Sequence, residues 1–77
     1  QNRSLLPAGI QQVKGEFNRG EIVSIVASDG VPVACGLTNY SSVAVARIKG
    51  LRSDRIQPAL GYYYGAEVVH RNNMVLL

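Results

Sequence analysis

The residues able to do chemistry are few and widely spaced. A single histidine, His70, stands in "VVHRNN", and a single cysteine, Cys35, stands in "VPVACGL". His70 could act as a base, yet no acid or nucleophile lies beside it in sequence, so it reads as structural or solvated. Cys35 falls on the apolar face of an alternating run and reads as a buried hydrophobe. The carboxylates Glu16, Glu21, Asp29, Asp54 and Glu67 sit mostly at expected turns and element ends, where solvation accounts for them. No phosphate-cradling glycine loop of the P-loop type is present. One cysteine permits neither an internal disulfide nor a zinc quartet. No catalytic, metal-binding or cofactor-binding residue is therefore assigned.

Cations and tyrosines leave a second possibility. The formal charge is +3, from eight Lys/Arg against five Asp/Glu. Positive potential attracts phosphate, and small barrels that bind RNA offer a basic groove with aromatics on which unpaired bases stack. Lys14 and Arg19 flank an expected turn, Arg47 and Lys49 end an expected helix, and Arg71 lies in a late turn. Tyr40 and the run Tyr62-Tyr63-Tyr64 would be the stacking platforms. The opposing reading has Arg47 and Lys49 complementing a helix C-terminus and the tyrosines covering the core edge with wet hydroxyls. The basic residues are dispersed, which weighs against a nucleic-acid stripe.

Glycine positions set the elements that must hold these groups. They fall at 9, 15, 20, 30, 36, 50, 61 and 65, mostly leaving gaps of strand length. Gly9–Phe17 reads as a strand with Ile10 and Val13 inward, and Asn18–Gly20 as a turn. Glu21–Ala27 is a β-branched run suited to a strand covered on both faces. Ser28–Gly30 is an Asp-Gly hairpin turn. In Val31–Leu37 the larger residues Val31, Val33, Cys35 and Leu37 share one face, and the small opposite face admits a neighbouring backbone. Ser41 or Ser42 caps a short helix through Ile48, which stops at Gly50. Ser53 caps a second one ending at Gly61, kept short by Pro58. Ala66–Leu77 gives two short strands around a turn at Arg71–Asn73. Near the start, "SLLPAGI" (Ser4–Ile10) reads as a buried turn with Leu5, Leu6 and Ile10 seeking a core. Residues 1–77 form one mostly β, barrel-like domain with short helices at one end.

At this length a chain buries only about 60% of its unfolded surface, so its stability is marginal. No apolar run approaches the roughly 20 residues that span a bilayer, and no signal peptide is visible. The absence of disulfides fits a reducing cytoplasm. A start at Gln1 rather than methionine reads as a fragment or a processed product.

Three segments carry a resemblance. "SLLPAGI…V.GEFNRGEIVSI" resembles the part of a PUA domain in which a Pro-Ala-Gly-Ile turn precedes a hairpin closed by an Arg-Gly-acid turn. "ACGLTNYSS" and "IKGLRSDRI…LGY.YGAEVVHRNNMVLL" are similar to the carboxy-terminal PUA domains of the bacterial glutamate 5-kinase family. The likeness spans about Arg3 to Leu77. It implies a mixed-strand pseudobarrel in a cytoplasmic parent, beside an amino-acid-kinase domain that phosphorylates glutamate with ATP and Mg²⁺, opening proline biosynthesis. That machinery would lie outside these residues, leaving a regulatory or assembly module; RNA binding, as in other PUA domains, is the alternative. Relative to the family pattern, the sequence lacks a first strand and helix. The resemblance thus implies open pairing edges and an uncovered apolar face, met by a partner chain in a dimer or strand swap.

Overall fold

The computed structural model describes residues 3–77. Its sheet has three antiparallel strands in the order β1 (Ile22–Val26), β2 (Pro32–Leu37) and β3 (Met74–Leu76). Two short helices, α1 (Ser42–Ile48) and α2 (Ile56–Leu60), follow β2, and 3₁₀ turns occupy Pro7–Gly9, Ser53–Arg55 and Arg71–Asn73. This is the small β domain with short helices that the sequence implies. The front of the chain is joined to its far end by a lone bridge between Leu5 and Val69.

Each element has a local cause. The Asp29 carboxylate accepts the Val31 N–H at 3.0 Å, and this closes the hairpin between β1 and β2. Ser41 caps α1, its hydroxyl accepting the Ala44 N–H at 3.3 Å. The helix then turns Ala44, Val45 and Ile48 inward, with Ile48 wholly buried. Ser53 does not cap α2. It lies inside the preceding 3₁₀ turn, where its hydroxyl donates to the Ala66 carbonyl at 3.2 Å instead. Gly61 ends α2 at φ 84°, a left-handed conformation that disfavours a Cβ.

The core gathers Tyr40, Ala44, Val45, Ile48, Ile56, Val68 and Val69, with Val23, Ile25 and Met74 of the sheet packed against it. Ala34 and Gly36 are the buried residues of β2, so the small face points inward and the larger one outward. Crowding dictates this orientation. A Cβ on Gly36 would stand 2.5 Å from the Asn73 carbonyl oxygen and 2.7 Å from Val69 Cγ1. The backbone approach expected from the small face is therefore made by the chain around Asn73.

Besides Ser53, five expectations about the fold need correction. Leu6 does not join Leu5 and Ile10 against the core but points outward, 44% exposed. Gly9–Phe17 is not a strand, because no strand lies alongside it: Phe17 spends both backbone groups on Ser42. Ile10, Val13 and Phe17 nonetheless pack on the core. β1 is covered on one face only, leaving Ile22 72% exposed. Cys35 lies half-buried on the outer face of the sheet, since Ala34 and Gly36 occupy the inner one. Of the two last strands only β3 forms; the residues before it contribute just the Val69 bridge.

Candidate functional site

Arg19 sits at the tip of the turn entering β1. Backbone bonds from Gly20 N–H to Thr38 O (2.8 Å) and from Thr38 N–H to Glu21 O (3.0 Å) tie that turn to the segment leaving β2. This fixes Arg19 beside the loop released by Gly61. Its guanidinium carbon stands 3.8 Å from the centre of the Tyr64 ring, within cation–π range. Tyr62 lies against Tyr64 at 5.1 Å between centroids, and Tyr40 lies on it at 5.6 Å.

Tyr40 holds this arrangement from below. Its ring is fully buried, and its hydroxyl donates to the Gly65 carbonyl at 2.7 Å while accepting the Tyr64 N–H at 2.8 Å. Burial holds its pKa above the ordinary tyrosine value, while the bond from Tyr64 N–H acts in the opposite sense. A buried ring with an occupied hydroxyl offers no face to a base, so Tyr40 is a latch and not a stacking platform. Tyr62, Tyr63 and Tyr64 remain exposed.

Of the five candidate cations, Arg19 alone is placed on the tyrosines. Lys14 lies in the extended segment before the turn, Arg47 in the last turn of α1, Lys49 just beyond it, and Arg71 in the 3₁₀ turn before β3. All five are exposed. His70 accepts the Asn72 N–H on Nδ1 at 3.1 Å and so caps that last turn, a structural task. Among the described residues no three His, Cys, Asp or Glu side chains gather as metal ligands. The one ion pair among the described residues, Arg52 with Asp54 at 3.3 Å, is solvent-exposed and contributes little. Among the described residues no helix is long and apolar enough to cross a membrane.

Two surfaces could not be placed from sequence. The outer sheet face carries Ile22, Val26, Val33, Leu37 and Val75, all exposed. Alternation in β2 signalled an apolar face; only the crowding at Gly36 reveals which way it points. A groove lined by Arg3, Ser4, Leu6, Glu67, His70 and Arg71 joins segments more than 60 residues apart, and no local motif marks it.

The PUA domain family matches residues 1–60. The chain is 59% identical over 75 residues, 97% of its length, to glutamate 5-kinase of Herpetosiphon aurantiacus. It is 52% identical over 73 residues, 95% of its length, to glutamate 5-kinase of Thermus thermophilus. To that of Geobacter sulfurreducens it is 47% identical over all 77 residues. The chain spans about a fifth of the length of these curated relatives (20%, 20% and 21%). Its match lies in their carboxy-terminal region. The chain belongs to the PUA domain family.

Proposed function

We propose that these residues act as a non-catalytic assembly or regulatory module of a glutamate 5-kinase, docking through the outer face of the sheet. The observation that carries this reading is that face itself: Ile22 and Val75 are 72% and 63% exposed on a sheet whose other side is packed. Contiguous exposed apolar surface marks interaction sites. Four-fifths of each relative lies outside the matched region, so the natural cover is the remainder of such a parent. In this reading an amino-acid-kinase domain supplies the chemistry, with ATP and Mg²⁺, phosphorylating the glutamate side-chain carboxylate in the cytoplasm. A second copy, joined as a dimer or by strand exchange, is the competing cover. Deleting the module from the full-length kinase tests the proposal. A changed oligomeric state, turnover or response to proline supports it; no change in any of them rejects it.

A second reading, an RNA-binding module, is favoured by one arrangement. The Arg19 guanidinium carbon lies over the Tyr64 ring with Tyr62 beside it, an exposed cation next to aromatic faces. Base stacking on such faces contributes about 1–3 kcal/mol per base. Titration against structured RNA at two salt concentrations discriminates the readings, because phosphate contacts make affinity fall with salt. Arg19→Ala and Lys14→Ala should each weaken binding. No binding at low salt ends this reading.

A further inference from the structure

The groove between the first and last segments has a composition that neither reading uses. The antiparallel bridge of Leu5 with Val69 is held by Leu5 N–H to Val69 O and Val68 N–H to Leu5 O, each 2.8 Å. The chain runs from the bridge to Arg3 on one side and to Arg71 on the other, and both line a groove of about 500 Å³. Neither arginine has an ion-pair partner among the described residues, although Glu67 lines the same groove. Two such arginines lining one groove suit an anionic group.

The remaining lining narrows the ligand. His70 accepts the Asn72 N–H on Nδ1, so its ring proton sits on Nε2 and is free to donate. Ser4 accepts the Arg71 backbone N–H at 3.0 Å, which pins the two segments together at the groove. Glu67 would repel a phosphate dianion but suits an ammonium group. Leu6, 44% exposed, supplies an apolar wall. We infer that this groove binds a free α-amino acid with an apolar side chain. Its carboxylate meets the arginines and His70, its ammonium meets Glu67, and its side chain lies on Leu6. Bidentate guanidinium–carboxylate pairing gives the contact its direction. The inference is independent of the docking and RNA readings.

Calorimetric titration of the intact protein tests it, using L-leucine, N-acetyl-L-leucine, L-leucinamide and inorganic phosphate as probes. L-leucine should bind about ten-fold more tightly than either blocked analogue, each of which lacks one charged end. Arg71→Ala should weaken L-leucine about ten-fold, and Arg71→Lys should retain part of the affinity. Both leave the backbone bond to Ser4 in place, so circular dichroism should show an unchanged fold. Glu67→Gln should erase the preference for L-leucine over its N-acetyl derivative. The inference is overturned if N-acetyl-L-leucine or phosphate binds as well as L-leucine. Equal L-leucine affinity in Arg71→Ala, or no heat with L-leucine at millimolar concentration, overturns it too.

Discussion

At the scale of single residues, two positions concentrate the constraints. Gly36 has no room for a Cβ, since the obstructing atoms are a backbone oxygen and a wholly buried valine methyl. Gly36→Ala should destabilise the chain by about 1–3 kcal/mol through overpacking, read from urea denaturation midpoints. Tyr40 is the second. Tyr40→Phe keeps the ring but strips the Gly65 carbonyl and the Tyr64 N–H of their partner. Leaving such groups unpaired costs about 1–3 kcal/mol and should also loosen Tyr64 beneath Arg19. The raised pKa of Tyr40 gives this residue a pH signature. Above the ordinary value of 10.0 the unfolded chain releases the Tyr40 proton while the folded chain still holds it. Stability from this group is thus complete below pH 10.0 and is lost as pH climbs toward the folded value. Denaturation series from neutral to strongly alkaline pH should show that loss, and Tyr40→Phe should reduce it.

At the scale of elements, α1 depends on its cap and the sheet on one of its faces. Ser41→Ala removes the acceptor for the Ala44 N–H and should cost about 1 kcal/mol, measured by thermal denaturation. The two faces of the fold should respond differently to substitution. Ile48→Ala opens a cavity in the core and should cost about 2–5 kcal/mol. Ile22→Thr, on the outer face, should stay within about 0.5 kcal/mol. This contrast also shows where sequence reading stops. The cap, the helix stop at Gly50, the hairpin at Asp29 and the alternation in β2 are local chemistry and were legible. Phe17 shows the other case: its segment has strand-like residues, but its backbone partner is Ser42, 25 residues away. Cys35 lies on the outer face, a placement hidden from sequence because periodicity assigns two faces without saying which is covered. Tyr40 and Tyr62–Tyr64 looked alike in sequence. Only the fold distinguishes the latch from the exposed rings.

At the scale of the whole molecule, the uncovered sheet face is the dominant feature, and its meaning is tested by charge. Ile22→Asp should leave the fold intact but disrupt docking in the full-length protein, seen as a shift in mass by light scattering. An unchanged assembly would remove the outer face from the docking surface. The closure of the chain carries a different consequence. The Pro7 carbonyl accepts both Ile10 N–H at 3.0 Å and Gly50 N–H at 2.7 Å, while Leu5 pairs with Val68 and Val69. The segment around Leu5 is therefore secured only after Val68 and Val69, more than 60 residues later, have been made. A nascent chain halted anywhere before Val69 presents Leu5 and Leu6 with no bridge to join. Such non-local closure also slows folding relative to a helical domain of equal length. The vulnerable interval thus belongs to synthesis, and it closes only once Val69 is available to pair.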